Sequence, residues 1–438
     1  MRFMHVADIH LGYQQYGSQE RFNDFSRSFL YLVEQAVKHK VDFLLLAGDL
    51  FEKRTVDPLA MRVAIEGLRS LQDAGIPVVA VEGNHEKAHY RDQYSWVDFL
   101  DALGYLHLLN PHREDGHLVL EPHGDEGGAY VDLPCRARIY GIKYYGASTG
   151  KVFRLFADAL AEMDHSNVGF SILVAHAGLE GQLPRYPGTL TYNDLAPLRK
   201  RVNYLALGHI HKPYEVEGWI YNPGSPETWN VEEAAWPERG YYLVEVGDRP
   251  DHKAQLIPTP RRPFHRLRLP VDALEGPDAI YDAARALLKH HDQEIVRHPV
   301  PVIELTLSGT LAFSRFDLDL GYLERMVQET FSPLLVRMRN MTTPAEFEFA
   351  VDVEASRPEL EQSIVRELLE RDARYRPAAE DWARVALDLK RMALEMSSPE
   401  TMIDYLRHAR SELGTAGGDP ALPASGSQTQ VSQPQGGD

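Results

Sequence analysis

Five short polar segments in the first half of the sequence carry residue types that could bind metal ions. Each segment directly follows an apolar run. They are Asp8-Ile9-His10, Gly48-Asp49, Gly83-Asn84-His85, His176 and Gly208-His209-Ile210-His211. Carboxylate oxygen, amide oxygen and imidazole nitrogen suit a divalent ion such as manganese, iron or zinc, and the absence of thiolates argues against a structural zinc site. The pattern predicts a metal centre.

The candidate ligands are numerous enough for two ions. They are Asp8, His10, Asp49, Asn84, His176, His209 and His211. If Asp49 bridges the ions, each ion has four protein ligands and keeps a position for water and phosphate. A metal pair about 3.5 to 4 Å apart activates a bound water and clamps the attacking and leaving oxygens, so we predict phosphate ester hydrolysis. His85 lies beside Asn84 and is predicted to hydrogen-bond the phosphate or to protonate the leaving alkoxide.

The segments that must position these residues alternate between strand and helix patterns. Apolar runs near 2–8, 41–47 and 77–81 enclose helical patterns near 20–39 and 57–74, which predicts a βαβαβ start. Further strands are predicted at 138–142, 171–175, 204–207, around 221 and at 240–246. Because ligands gather at the carboxyl ends of strands in α/β sheets, distant segments can converge there. We therefore predict a two-sheet α/β sandwich over residues 1–260.

The pattern restarts after Pro258-Thr259-Pro260 and predicts a smaller α+β domain over 261–355. Its expected elements are a strand at 264–271, a helix at 276–290, a strand at 301–307, a helix at 318–331, and strands near 334–339 and 347–353. Residues 356–413 are predicted to be helical, and the Gly/Ser/Pro/Gln-rich stretch 414–438 is predicted to be disordered.

Apolar residues recur at alternating steps of three and four on the C-terminal helices. They are Trp382, Val385, Leu389, Met392 and Met396 on one helix, and Met402, Leu406, Ala409 and Leu413 on the next. Two interpretations fit such stripes: a helical hairpin packed on its own domain, or a surface that binds a partner.

Composition bounds the class of protein. The 438 residues carry a net charge of -18 and a single cysteine, Cys135, and no stretch approaches the roughly 20 apolar residues of a membrane helix. We expect a soluble cytoplasmic protein without a disulfide or a signal peptide. The acidic balance argues against a broad basic surface, so any DNA contact must be local. Candidate contacts, each of which is also explained as an ordinary solvated cation, are Lys87, His89, Arg91, Arg199 to Arg201, Arg261, Arg262, His265, Arg266 and Arg268.

The ordered set D-x-H, G-D, G-N-H, H and G-H-x-H is the signature of the calcineurin-like metallophosphoesterases, and this sequence contains all of it. Longer matches narrow the resemblance: Asp8-Ile9-His10-Leu11-Gly12, Gly48-Asp49-Leu50-Phe51, Asn222-Pro223-Gly224-Ser225-Pro226-Glu227 and Pro260-Arg261-Arg262-Pro263-Phe264. Over residues 1–265 the chain resembles the nuclease subunit of the DNA double-strand-break repair nuclease and ATPase complex, SbcD in bacteria and the meiotic-recombination-eleven nuclease in eukaryotes and archaea. Glu86 departs from this pattern, because the family commonly has aspartate after the G-N-H triplet.

The resemblance implies a full assignment of the site. One metal would be held by Asp8, His10, Asp49 and His211, and the second by Asp49, Asn84, His176 and His209. Manganese would be the favoured ion and His85 the catalytic histidine. The implied activities are a 3′-to-5′ exonuclease on duplex ends and an endonuclease on single strands or hairpins.

The resemblance also implies partners. The second domain would be a cap that helps to position DNA. A coiled-coil ATPase of the structural-maintenance-of-chromosomes type, SbcC-like, would bind the C-terminal helices, and a homodimer would form through helices near 57–74 and 92–103.

Two alternatives stay open. The same metal signature serves metallophosphoesterases that act on small phosphodiesters, nucleotides or phosphoproteins, since fold and metals do not fix the substrate. A second domain closed over the metals would favour this class, whereas an open groove lined by Lys87, Arg91 or Arg266 would favour DNA. A non-catalytic scaffold that loads an ATPase onto DNA ends is the other alternative, and the complete ligand set with His85 argues against it.

Overall fold

The computed structural model describes residues 1–88, 94–125, 127–183, 189–247, 251–295, 297–344, 357–371, 374–395 and 397–413. The chain separates into two compact units, 1–342 and 343–438. In chain order the strands are β1 (Arg2–Val6), β2 (Phe43–Leu46), β3 (Val78–Ala80), β4 (His107–Leu108), β5 (His112–Glu114), β6 (His117–Val119), β7 (Tyr130–Asp132), β8 (Ala137–Ile142), β9 (Phe170–His176), β10 (Tyr204–Gly208), β11 (Tyr214–Val216), β12 (Ile220–Asn222), β13 (Gly240–Val246), β14 (His252–Pro258), β15 (Phe264–Pro270), β16 (Val302–Leu311) and β17 (Leu335–Pro344).

The α-helices are α1 (Gln19–His39), α2 (Pro58–Asp73), α3 (Trp96–Ala102), α4 (Thr149–Ala161), α5 (Tyr192–Leu195), α6 (Pro277–His291), α7 (Leu320–Phe331), α8 (Arg357–Arg371), α9 (Ala379–Leu394) and α10 (Pro399–Leu413). Local sequence explains the start of α2, where the Asp57 side chain accepts from the Leu59 N–H and Pro58 occupies the first turn.

Two six-stranded mixed sheets form the larger part of the first unit. One has the order β14-β13-β1-β2-β3-β4 and the other β11-β12-β10-β9-β8-β7. The central pairs β1–β2, β2–β3 and β9–β10 are parallel, and the edge pairs β13–β14 and β7–β8 are antiparallel. This confirms the predicted α/β sandwich with two mixed sheets.

Strand alternation explains how the layers pack. Phe3 and Leu45 face the core between the two sheets, whereas their neighbours Met4 and Leu44 face the core that contains α1 residues such as Phe29. Successive side chains of a strand point to opposite faces, and both faces of these strands are covered. Continuous apolar runs therefore appear where the central strands lie, which is why the sequence revealed them.

A three-stranded sheet in the order β15-β16-β17 follows, packed with α6 and α7 around its own apolar core. The predicted α+β elements from 264 to 339 are confirmed within a few residues. The predicted strand at 347–353 and the predicted disordered stretch 414–438 lie outside the described residues. The boundary predicted near residue 260 stays a prediction, because β15 to β17 fall largely in the same compact unit as the two sheets.

The second unit contains α8, α9 and α10, and their apolar stripes pack on one another. Trp382, Val385 and Ala409 are buried, with Leu389 and Leu413 packed against them. Leu406, a member of the same stripes, is exposed. The hairpin interpretation thus accounts for most of the stripe that the structure describes. None of the described helices is long and apolar enough to cross a membrane.

Several elements were not predicted, among them helix α4, the edge strand β14 and the short hairpin β5–β6. Helix α4 packs on the second sheet through Val152, Phe153 and Phe156. Ser148 stands at its N-cap, but its side chain makes no cap hydrogen bond and the first turn has no acidic residue.

Candidate metal centre

The predicted ligands lie where the central strands of both sheets end. Asp8, Asp49 and Asn84 follow β1, β2 and β3, which are parallel neighbours in one sheet. His176 ends β9, and His209 follows β10, its parallel neighbour in the other sheet. Because parallel strands end at the same edge, segments far apart in sequence converge there.

Short distances join these side chains into one cluster. His10 Nε2 lies 3.2 Å from His211 Nε2, and donor atoms of both histidines and of Asp8 lie within 4.8 Å of one another. His176 Nε2 lies 3.2 Å from Asp49 Oδ2 and 3.0 Å from Asn84 Oδ1.

The remaining members join this cluster. Asp8, Asp49 and His176 form a second group within 4.8 Å, which connects the two halves. The ring of His209 is centred 4.9 Å from that of His176. The structure therefore brings all seven predicted ligands together.

Two of the imidazoles are held from behind by an acceptor on Nδ1. His176 Nδ1 donates to the carbonyl oxygen of Ala47 at 2.7 Å, and His211 Nδ1 donates to Glu233 Oε1 at 2.6 Å. His10 Nδ1 lies 2.9 Å from Glu52 Oε2 but makes no hydrogen bond within the described residues. Metal-binding histidines typically donate the second ring N–H to a carbonyl or carboxylate, which fixes the tautomer and turns Nε2 toward the ion. The donor set present fits a pair of divalent cations.

The backbone is strained at the ligands. Asp8, His10, Asp49 and His209 have φ values of 54°, 54°, 55° and 83°, in the left-handed region that residues with a Cβ seldom adopt. Such conformations cost on the order of 1 to 3 kcal/mol each and cluster at functional sites. The fold thus maintains an unfavourable backbone where the strands turn their side chains into the cluster.

Close packing explains two glycines of the motifs. A Cβ at Gly48 would lie 2.3 Å from His176 Nδ1, and a Cβ at Gly83 would lie 2.0 Å from Asp49 Oδ1. Any larger residue at either position would displace a predicted ligand.

Burial and mutual contact perturb the titration of the cluster. Burial raises the pKa of Asp8, an effect that the His211 imidazole opposes. Burial also acts against ionisation of Asp49, but the adjacent His176 outweighs it and the pKa of Asp49 is lowered. Burial and then His176 lower the pKa of His209 to about 3, so this ring is neutral, as a metal ligand must be.

Glu86 joins the two loops that carry Asp49 and Asn84. It is buried, and its Oε2 accepts from the N–H groups of Asp49 at 3.1 Å and Gly83 at 3.0 Å, while Oε1 accepts from Phe51 at 2.9 Å. Burial and then Asp49 raise the pKa of Glu86 to about 8. The glutamate that departs from the family pattern therefore supports the shape of the site without facing it.

His85 lies at the opening of the cluster. Its N–H donates to Asp49 Oδ1 at 2.9 Å and its ring Nδ1 donates to the carbonyl oxygen of Glu52 at 2.8 Å. This arrangement leaves Nε2 for a substrate. The ring is centred 4.8 Å from that of His10.

A cavity of about 270 Å³ opens over the cluster. Its lining combines the ligands with aromatic and apolar side chains: Asp49, Asn84, His85, Leu183, His209, His211, Trp229, Asn230, Glu232, Glu233 and Trp236. Polar chemistry therefore forms one side of the cavity and two tryptophans form part of the other.

Sequence reasoning missed Glu52, Glu233 and Trp229. Glu52 closes the Gly48-to-Phe51 motif and could have been examined for that reason alone. Glu233 lies in a short 3-10 helix, Val231–Ala235, and no local pattern connects it to His211.

The candidate DNA contacts differ in their surroundings. Lys87 Nζ lies 4.8 Å from the Tyr144 ring centre, and that ring lies 4.9 Å from His209. Arg261 donates to the carbonyl oxygens of Pro237 and Arg239.

The other arginines are also engaged. Arg262 is buried and bound to Asp24, with Nε 2.6 Å from Oδ2. Arg266 Nε lies 3.3 Å from Glu304 Oε1. His89 and Arg91 lie outside the described residues. Among Lys87, Arg261, Arg262 and Arg266, Lys87 is the one that contacts a ring beside the metal cluster.

Comparison with known proteins agrees with this geometry. Residues 1–213 match the model of the calcineurin-like phosphoesterase family. The chain is 31% identical over 294 residues to a DNA double-strand break repair protein Mre11 of Aeropyrum pernix, covering 66% of this chain and 67% of that protein. It is 33% identical over 247 residues to the Mre11 protein of Archaeoglobus fulgidus, covering 54% of this chain and 52% of the relative.

The aligned part thus spans between about half and two thirds of the length of these relatives. Residues 1–213, which match the family model, contain the strand ends that carry the seven predicted ligands and His85. The chain belongs to the Mre11 and SbcD type of calcineurin-like phosphoesterases.

Proposed function

We propose that this protein is a metal-dependent DNA nuclease of double-strand-break repair, acting as a 3′-to-5′ exonuclease on duplex ends and as an endonuclease on single strands and hairpins. One observation carries the proposal: His176 and His211 are each fixed through Nδ1, and together with His10 they surround buried carboxylates. A cluster so arranged is prepared for cations before any substrate binds.

The proposed ligand sets follow the family. Asp8, His10, Asp49 and His211 would hold one Mn²⁺, and Asp49, Asn84, His176 and His209 the other. When bound, the metal pair supplies an activated water and balances the charge of the phosphate. Asp49 would bridge the two ions. Its carboxylate contacts His176 of one ligand set and lies within 4.8 Å of Asp8 of the other.

His85 would act on the substrate directly. Since its Nδ1 is bound to the carbonyl oxygen of Glu52, the ring cannot turn away from the opening. Its Nε2 would then hydrogen-bond the phosphate or protonate the leaving alkoxide.

Lys87 is the proposed local cation for DNA. It lies beside Tyr144 at the edge of the cluster and carries a positive charge in a protein whose net charge is -18. A local contact of this kind is needed, because the whole molecule repels the phosphate backbone at long range.

The proposed partners rest on exposed apolar surface. Leu394, Ile403 and Leu406 on α9 and α10 are exposed, and such residues would suit a coiled-coil ATPase of the structural-maintenance-of-chromosomes type. Phe99 and Leu103, on and just after α3, are also exposed, which supports a homodimer through α2 and α3.

Manganese-dependent cleavage by the purified protein tests the proposal. End-labelled duplex DNA, hairpin DNA, a cyclic nucleotide and p-nitrophenyl phosphate esters would be compared, with His85→Ala as the control. Progressive shortening of the duplex that disappears in the variant is the expected result. Activity confined to the small esters would overturn the nuclease proposal in favour of a phosphoesterase for small substrates.

A further inference from the structure

Glu52 lies beside the predicted metal cluster. Its backbone is held because its N–H donates to the carbonyl oxygen of Leu11 at 3.0 Å, and its side chain is 9% exposed. We propose that Glu52 is a positioning residue whose carboxylate fixes the Trp229 indole and packs against the His10 imidazole. The inference rests on the two-metal function proposed above.

One carboxylate oxygen makes both contacts. Glu52 Oε2 lies 2.9 Å from His10 Nδ1 and 2.9 Å from Trp229 Nε1. The His10 contact has the distance but not the orientation of a hydrogen bond, so Glu52 acts on this ring through charge and packing. The indole N–H is a donor only, so Trp229 is oriented by the same oxygen.

Donor atoms of Glu52, His10 and His85 lie within 4.8 Å of one another, but geometry separates Glu52 from the ion that Asp8, His10 and His211 would hold. The His10 nitrogen near His211 is Nε2, whereas the nitrogen near Glu52 is Nδ1. The two nitrogens of an imidazole point away from each other, so an ion bound to Nε2 lies on the far side of the ring from Glu52. The Trp229 N–H also occupies the oxygen that faces His10.

Trp229 links this contact to the opening. Its ring is centred 5.9 Å from His10, 6.2 Å from His85 and 5.5 Å from His211. It also stacks on Tyr13, with ring centres 5.5 Å apart and planes 26° apart. An indole fixed at its N–H therefore provides a rigid wall beside both the metal ligands and His85.

The side chain and the backbone of Glu52 contact overlapping sets of rings. Its carboxylate contacts Trp229 and His10 and lies 3.8 Å from His85 Nδ1, while its carbonyl oxygen accepts from His85. Replacing the side chain should therefore disturb metal binding while leaving the hydrogen bond from His85 to the backbone in place. Retention of that hydrogen bond distinguishes positioning from a general loss of structure.

Metal titration of Glu52→Ala, Glu52→Gln and the wild type, followed by manganese electron paramagnetic resonance, tests the proposal. We expect Glu52→Ala to weaken one Mn²⁺ site by about 10- to 100-fold, the usual effect of losing a residue that supports a ligand. Two ions should still bind at saturation. Glu52→Gln should lose less, because its amide oxygen still accepts a hydrogen bond. Glu162→Gln, an exposed residue after α4, is the matched control for charge.

A second readout needs no metal. The protein has five tryptophans, and the indole N–H resonance of Trp229 in ¹⁵N-Trp-labelled protein is identified by its absence in Trp229→Phe. That resonance should shift in both metal-free Glu52 variants and stay in place in Glu162→Gln.

The outcomes separate this proposal from the proposed function. Wild-type affinity in Glu52→Ala, or an unshifted Trp229 resonance, would overturn the positioning role. Binding of only one ion at any concentration would make Glu52 a ligand instead. Failure of the wild type to bind manganese would refute the two-metal function, while a shifted Trp229 resonance would still show the Glu52 contact.

Discussion

Two clusters of buried charge meet at Glu233 and are balanced in different ways. The metal centre contains the carboxylates of Asp8 and Asp49, which face imidazoles and backbone N–H groups. The second cluster, here called the cap joint, contains carboxylates that face guanidinium groups. It consists of Arg21, Asp24, Glu227, Arg239 and Arg262.

The two clusters differ in the groups that offset the negative charge of each carboxylate. Asp24 receives two hydrogen bonds from Arg262, at 2.6 and 2.9 Å, and Glu227 Oε1 lies 3.0 Å from Arg21 Nη2. Guanidinium groups stay charged at any physiological pH, so the cap joint is balanced by the protein alone. At the metal centre, burial opposes protonation of His176, but Asp49 outweighs it and raises the pKa of His176 to about 9. A protonated ring cannot bind an ion, so balance in the loaded site would depend on added cations instead of this imidazolium.

Glu233 belongs to both clusters. Its Oε1 accepts from His211 Nδ1 at 2.6 Å and its Oε2 accepts from Arg239 Nη1 at 2.7 Å. A permanently charged arginine thus holds the carboxylate that orients a proposed metal ligand.

The largest effect is expected from Asp49→Ala. Because Asp49 is the proposed bridge, its loss should abolish binding of both ions and with it cleavage, whereas the metal-free fold should survive. Metal content after equilibrium dialysis, with circular dichroism to follow folding, measures both. A variant that kept two ions would refute the bridging role and weaken the contrast between the clusters. Asp158→Ala, an exposed change on α4, is the control.

His85→Ala should lower cleavage while sparing the metals. The expected loss is about 10²- to 10⁴-fold, the usual scale for a general acid, because the ring lies at the opening and contacts no proposed ion. Single-turnover rates at saturating manganese, together with metal content, provide the measurement. Equal loss of bound metal would place His85 among the ligands instead.

Asp24→Ala should have the opposite profile, with a loss of stability and retained metal binding. Removing one partner of a buried ion pair typically costs about 3 to 5 kcal/mol, since Arg21 and Arg262 would keep uncompensated charges. Chemical denaturation measures the free energy of unfolding, and Asp158→Ala should stay within about 0.5 kcal/mol of the wild type. An unchanged free energy of unfolding in Asp24→Ala would mean that this carboxylate does not stabilise the cap joint.

The contrast also explains what the sequence could and could not predict. The clustering of the predicted ligands could be foreseen, because Asp8, Asp49 and His176 each follow or end an apolar run that forms a buried strand. The role of Arg262 was not, because its partner Asp24 lies 238 positions away. The sequence suggested that Arg262 contacts DNA. In the structure, Arg262 instead pairs with the buried carboxylate of Asp24.

The same limit applies to the supporting residues. Glu233 and Trp229 reach the site from a segment without a motif of its own, and only the packing of the second sheet on the first brings them to His211. Helix α4 was missed although Ser148 stands at its N-cap, and its first turn has no acidic residue to strengthen that signal. Motifs reveal the residues that face the chemistry, while the residues that hold them are determined by long-range packing.

The smallest effect is expected from mild acid on the cap joint. Burial opposes ionisation of Asp24, but hydrogen bonds from Arg262 and the charge of Arg21 outweigh it and lower its pKa. A carboxylate with a lowered pKa in the folded state stabilises the protein above its unfolded pKa of about 3.9, and this contribution is lost as the pH falls through the lower folded value. The free energy of unfolding of the wild type should therefore fall more steeply below about pH 4 than that of Asp24→Asn, which has no proton to gain. Parallel curves of unfolding free energy against pH would show that the charge of Asp24 does not stabilise the cap joint. The proposed distinction between the cap joint and the metal centre would then fail at that residue.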